Sequence, residues 1–168
     1  MKVQVIDNFL PLYNFKQIES VLMGENFSWF YNPDALDGKD EKKENMFQFT
    51  HFIYSYQIEY RHKPQYMPLV EPSLSRLGVS QLFRIKANLL SKTTFNRSTG
   101  YHVDYPDKIY YKSAILYINT NNGWTHIKGY GKVKSVANRM VIFDGNSEHV
   151  GYTCTDKKTR VVINFNYN

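Results

Sequence analysis

From residue 82 onward the chain alternates apolar and polar positions with a period of two. The longest such stretches are Leu82-Phe83-Arg84-Ile85-Lys86-Ala87-Asn88-Leu89-Leu90, residues 111–119 and residues 160–167. Successive side chains of a strand point to opposite faces, so each stretch predicts a strand with two differently lined surfaces. Shorter candidates at 124–128, 131–136, 139–143 and 147–153 are separated by Asn-Asn-Gly, single glycines and Asp-Gly, all turn formers. Before residue 80 the pattern differs. Val3-Gln4-Val5-Ile6 alternates like one short strand. Residues 13–23 place Tyr13, Phe15, Ile18, Val21 and Leu22 at helical spacing, with Gly24 as the expected cap. A second helix is expected over 66–77, around Leu69, Val70, Leu74 and Leu77, ended by Gly78. Residues 32–46 are polar and charged, contain Pro33 and Gly38, and read as a long loop.

Many short strands behind a helical front predict a mainly β (α+β) protein: a sandwich or jelly-roll with N-terminal helices packed against it. A chain of 168 residues suits one domain, with 1–80 as the helical support region and 81–168 as the jelly-roll core. The aromatic share of 16%, including 14 Tyr and 11 Phe, strengthens the β assignment, because aromatics favour strands.

Charge and cysteine usage narrow the partners. The net charge of +6 can attract an anionic co-substrate. The basic residues are scattered, however, and the densest run is the mixed Lys39-Asp40-Glu41-Lys42-Lys43. No basic patch interleaved with aromatics occurs in one element, so nucleic acid is not the expected partner. Cys154 is the one cysteine, which rules out a disulfide framework or a zinc knuckle and suits a reducing compartment. The opening residues lack the apolar stretch of a signal peptide, and no apolar run reaches membrane-spanning length. A cytoplasmic protein is expected.

The residues that carry chemistry are His102-Val103-Asp104, His149 and Arg160. In an extended segment, residues two apart share a face, so His102 and Asp104 can present an imidazole and a carboxylate to one ion. His149 lies far enough on for intervening strands to return the chain to the same spot. Two imidazoles and one carboxylate with open positions opposite form the facial triad of non-haem iron(II) sites, whereas a closed set of four ligands would suit structural zinc. Arg160 opens a strongly apolar strand, where an inward guanidinium is costly without a partner. A dicarboxylic acid resolves the conflict by bidentate pairing. On the same inward face lie Val162, Asn164 and Asn166. Asn164 is a candidate donor near the metal or substrate, Tyr117 a candidate hydroxyl for the distal carboxylate, and Asn88 a candidate contact to the co-substrate. His51, His62 and His126 have no partner at ligand spacing and are expected to be non-ligands.

From about residue 82 to 167 the sequence resembles the prolyl-4-hydroxylase-like branch of the iron(II)/2-oxoglutarate dioxygenase superfamily. The matching segments are Tyr101-His102-Val103-Asp104, Ala114-Ile115-Leu116-Tyr117-Ile118-Asn119, Asn122-Gly123-Trp124-Thr125, Met140-Val141-Ile142-Phe143-Asp144-Gly145, Glu148-His149-Val150-Gly151 and Thr159-Arg160-Val161-Val162-Ile163. Ile6-Asp7-Asn8-Phe9-Leu10-Pro11 also looks like the start of that family's catalytic domain. The resemblance implies a double-stranded β-helix and metal ligation by His102, Asp104 and His149. It also implies capture of the 2-oxoglutarate distal carboxylate by Arg160 with help from Tyr117. Two departures bear on the substrate: Trp124 stands where an acidic residue is common, and Gly151-Tyr152 replaces the usual Pro-Val.

The activity so implied uses iron(II), 2-oxoglutarate and dioxygen to hydroxylate a peptidyl residue, proline being the family default, with succinate as co-product. Alternative substrates are a free amino acid, a small metabolite or a nucleobase. The alternative of a different class is a cupin-like jelly-roll that binds metal or ligand without turnover. Residues 32–46 and 91–97 are candidate lids. Tyr101, Tyr105, Tyr110, Tyr111 and Tyr152 either line a peptide groove or stack on bases, or, as expected for most of them, are β-core and edge aromatics.

Overall fold

The computed structural model describes residues 3–33, 46–56, 64–105 and 110–168. In chain order the elements are β1 (Gln4–Ile6), α1 (Leu12–Leu22), β2 (Phe30–Asn32), β3 (Gln48–Ser55), a 3-10 turn (Pro64–Tyr66), α2 (Met67–Leu77), β4 (Leu82–Ser91), β5 (Lys112–Tyr117), β6 (Trp124–Ile127), β7 (Gly131–Lys134), β8 (Arg139–Asp144), β9 (His149–Tyr152) and β10 (Thr159–Tyr167). Seven strands form a major sheet in the order β1-β8-β5-β10-β4-β3-β2, and three form a minor sheet in the order β7-β6-β9. Neighbouring strands in both sheets run antiparallel. This is the β-rich jelly-roll expected from the alternation.

β10 organises the major sheet, pairing with β4 on one side and β5 on the other. Its odd-numbered residues Val161, Ile163, Phe165 and Tyr167 are buried against the helices, with Phe15, Ile18 and Leu22 of α1 and Val70 and Leu74 of α2 in the same core. Removing a fully buried side chain such as Ile18 from this layer would cost about 2–5 kcal/mol. The even-numbered residues face the minor sheet. Cross-strand partners share a face, so the register groups Val162 with Asn88 and Tyr117, Asn164 with Lys86 and Ile115, and Asn166 with Arg84 and Ser113. Part of this face closes in a second core, where Ile115, Tyr117, Val141, Phe143 and Val162 meet Ile127 and Val133 of the minor sheet. The remainder stays open and polar.

Several elements depart from the sequence expectation. Residues 1–80 supply β1, β2 and β3 to the major sheet as well as the helices. β3 escapes a period-two reading because it is buried on both faces and carries a register shift between Phe52 and Tyr54. Gly78 adopts the left-handed C-cap conformation expected of it, with φ 66°. Gly24 has another role. α1 ends on Met23 in a right-handed conformation, and a Cβ on Gly24 would lie 2.6 Å from the Ser20 carbonyl oxygen. The loop assigned to 32–46 lies mostly outside the described residues. Among those described, no helix is long and apolar enough to cross a membrane.

A buried knot of hydrogen bonds around Tyr111 sets the turns tightly. The Tyr111 hydroxyl accepts from Tyr105 N at 2.9 Å and donates to the Gly145 carbonyl at 2.7 Å. A Cβ on Gly145 would sit 2.2 Å from the Tyr111 ring. Gly145→Ala is therefore expected to expel the ring and break both bonds, destabilising the fold by roughly 2–4 kcal/mol. Thermal unfolding should show a fall in Tm of about 5–15 °C; an unchanged Tm would refute this packing.

Candidate metal centre

His102, Asp104 and His149 converge. One ligand atom from each lies within 4.8 Å of the others. The route is not the continuous strand suggested by His-x-Asp. Instead His102 and His149 pair in an isolated antiparallel bridge, each backbone N–H donating to the other's carbonyl at 3.0 Å. Directly opposed residues share a face, so the two imidazoles stand side by side with ring centroids 4.5 Å apart. Each Nδ1 faces a backbone carbonyl two residues back, Gly100 O at 3.1 Å and Ser147 O at 3.2 Å. Those contacts favour the proton on Nδ1 and leave the Nε2 lone pairs for an ion. Burial pushes the His149 imidazole below its ordinary pKa, against the opposing pull of Asp104, which suits a neutral ligand.

Asp104 is held on both oxygens. Arg84 Nη2 lies 2.6 Å from Oδ1, and the two side chains are 14% and 6% exposed. Asn166 Nδ2 donates to Oδ2 at 2.8 Å, with Ser113 Oγ further off at 3.4 Å. Burial alone would raise the Asp104 pKa. The charges of Arg84, His149 and His102 and the Asn166 bond outweigh it and hold the carboxyl well below its usual range. The donor set fits iron(II): two imidazoles and a carboxylate, without thiolates.

At the other end of the same cavity lies Arg160, 3% exposed. Its Nε donates to Ser135 Oγ and its Nη2 to Thr125 Oγ1, both at 2.9 Å. No carboxylate pairs with it among the described residues. Burial depresses its pKa, as expected of a desolvated cation. Gly123 makes room for it: a Cβ there would lie 2.8 Å from Arg160 Cδ. Tyr117 lies beside Arg160, with the Arg160 guanidinium carbon 5.5 Å from its ring centroid. It is fully buried between the sheets and donates its hydroxyl to Thr125 Oγ1 at 2.8 Å. Thr125, which the sequence reading passed over, thus accepts from both Tyr117 and Arg160, and its own hydrogen remains to donate into the cavity it lines.

The cavity holds about 150 Å³ and is lined between these ends by Lys86, Asn88, Leu90, Ile115, Val162 and Asn164. Asn88 and Asn164 therefore stand on its wall. Asn88 Nδ2 makes a 3.3 Å contact with the Lys86 carbonyl, whereas the buried Oδ1 of Asn164 has no hydrogen-bond partner among the described residues. The candidate lid at 91–97 is tied down by bonds from Lys92 N to Lys158 O, from Thr93 N to Cys154 O and from Arg97 N to Thr153 Oγ1. His51 is buried among Phe27, Phe30 and Tyr66, and His126 accepts or donates a 2.8 Å bond with Tyr101; neither joins the triad. His62 lies outside the described residues. Tyr105 and Tyr111 are core, Tyr152 stacks on Trp124 at 4.3 Å, and Tyr101 and Tyr110 are exposed. The sequence reading also missed Arg84, whose inward position on β4 implied a buried cation needing a partner.

No family model matches the sequence, and no curated protein matches it. Solved structures do. A Pseudomonas putida prolyl-4-hydroxylase superposes with TM-score 0.56 at 15% identity, over 99% of this chain and 92% of that one. A Trichoplax adhaerens prolyl hydroxylase, solved with a peptide fragment of the hypoxia inducible factor oxygen degradation domain, gives 0.61 at 14% identity over 98% and 82%. HygX from Streptomyces hygroscopicus, solved with nickel and 2-oxoglutarate bound, gives 0.60 at 11% identity over 99% and 82%. The chain thus has the fold of the 2-oxoglutarate and iron(II) oxygenases, prolyl-4-hydroxylases among them.

Proposed function

We propose that this chain is a single-domain iron(II)- and 2-oxoglutarate-dependent oxygenase that hydroxylates a peptidyl residue. The observation that carries the reading is the pairing, within one cavity, of three convergent metal-ligand side chains and a buried guanidinium with no carboxylate partner among the described residues. Iron(II), when bound, supplies the activation of dioxygen that couples decarboxylation of 2-oxoglutarate to hydroxylation of a substrate carbon. His102 and His149 hold the ion through Nε2 and Asp104 through a carboxylate oxygen. Arg160 and Thr125 bind the distal carboxylate of the co-substrate and orient it toward the ion. Leu90, Ile115 and Val162 supply the apolar part of the intervening wall, beside the polar side chains of Lys86, Asn88 and Asn164.

The peptide complex of the Trichoplax neighbour supports a peptidyl substrate, with proline the first residue to test. A second reading, a free amino acid, small metabolite or nucleobase, is favoured by the carboxamides of Asn32, Gln48, Asn88 and Asn164 on the cavity wall, which suit a small polar molecule. Anaerobic addition of iron(II) and 2-oxoglutarate should produce a visible charge-transfer band. Aerobic screening of peptides and small molecules should then find one that stimulates succinate release. Binding without any stimulated turnover would leave the cupin-like reading; no band at all would remove the oxygenase.

A further inference from the structure

The surroundings of Asp104 form a closed ring of side chains. Arg84 spans two acceptors at once: its Nη2 meets Asp104 Oδ1 at 2.6 Å and its Nε donates to Asn166 Oδ1 at 2.9 Å. Asn166 completes the circuit by donating Nδ2 to Asp104 Oδ2 at 2.8 Å, and the same amide group donates to Ser113 Oγ at 3.0 Å. The register explains the assembly. Arg84, Asn166 and Ser113 are direct cross-strand partners on β4, β10 and β5, so three strands deliver them side by side to one face. Asn166 is fully buried and Ser113 is 1% exposed, so neither amide nor hydroxyl has water as an alternative partner.

We propose that Arg84 and Asn166, steadied by Ser113, are positioning residues that present Asp104 to the metal through Oδ1 alone. This rests on the metal-centre reading given above. A carboxylate oxygen has two lone-pair directions. On Oδ2 the stronger bond comes from Asn166, and Ser113 stands against the remaining side at 3.4 Å. Oδ1 carries the single contact from Arg84, and it is the oxygen that lies 3.9 Å from His102 Nε2. Fixing both oxygens also stops the carboxylate rotating about its Cβ–Cγ bond. A single-oxygen ligand leaves room at the ion for a chelating co-substrate and dioxygen, which a carboxylate swung to bind through both oxygens would crowd. Arg84, at the cavity wall, and Asn166, fully buried behind it, act on the ion through their bonds to Asp104.

The test keeps the charge at the site constant, so that electrostatic repulsion of the ion does not confuse the result. Asn166→Leu removes the Oδ2 bond at similar volume. Arg84→Lys retains the cation but cannot span Asp104 and Asn166 together. Manganese(II) affinity of the full chain, read from the EPR signal of the free ion, is expected to fall about ten- to hundredfold in each, the usual effect of losing an outer hydrogen bond to a metal ligand. The cobalt(II)-loaded variants should also show shifted d–d absorption bands, because the carboxylate is free to turn; a loss of stability alone would not move those bands. Affinity and bands like wild type in Arg84→Lys, which conserves size and charge and so guards against a failure to fold, would overturn the clamp. Failure of the wild-type chain to bind manganese(II) or cobalt(II) would instead strike the metal-centre reading, and the clamp with it.

Discussion

Arg160→Met is expected to weaken 2-oxoglutarate binding by roughly a hundredfold or more, the scale for truncating one member of a buried charge pair. Methionine keeps most of the apolar stem but removes the planar fork that matches a carboxylate. The effect on the ligand-free fold should be small, because two opposed terms nearly cancel. Losing a desolvated cation relieves strain on the interior. The Ser135 hydroxyl, about 1% exposed, loses its donor, which costs about 1–3 kcal/mol, while Thr125 keeps the bond from Tyr117. Titration calorimetry with 2-oxoglutarate, alongside thermal unfolding, measures both. Tyr117→Phe is the contrasting variant. Since the Tyr117 hydroxyl donates to Thr125, which in turn accepts from Arg160, its loss should change affinity by less than about tenfold, the scale of one ordinary hydrogen bond. Wild-type affinity in Arg160→Met would remove the anchor from the account.

Loss of one triad member should abolish stoichiometric metal binding, an effect larger than any outer change around the ligands. His102→Ala leaves a two-ligand remnant that holds no ion at micromolar concentration, whereas His126→Ala, whose ring bonds Tyr101 away from the triad, should bind as wild type. Asp104→Ala should do more than His102→Ala. It strips the charge partner from Arg84, a guanidinium whose side chain is 14% exposed, and breaking such a buried pair costs about 3–5 kcal/mol. The two variants are therefore expected to share the metal defect and differ in stability, with Asp104→Ala melting roughly 6–20 °C below His102→Ala. Equal melting temperatures would show that Arg84 finds compensation elsewhere.

How far the site could be read without coordinates depended on whether each residue's role was local. His102 and Asp104 stand two apart, and the even-numbered face of β10 follows from alternation alone, so Arg160, Val162, Asn164 and Asn166 could be placed together. Tyr117 stands on the expected face, and its bond to Thr125 is one that alternation cannot predict, because alternation says where a side chain points and not which hydroxyl it meets. Thr125 was missed because nothing in Trp124-Thr125-His126 says that two donors from other strands meet there. β3 was missed because a bulge and burial on both faces erase its period.

Hydrophobic periodicity and the spacing of turn formers determined the strand-rich class, both helices and the set of inward residues, since these depend on positions a few residues apart. The pairing of His102 with His149, the ring through Arg84, Asp104 and Asn166, and the burial of Arg160 without an acidic partner among the described residues were decided only by tertiary structure. Each joins residues from strands distant in sequence. Their contacts depend on the register of one strand against another, and that register is set by the packing of the whole sheet.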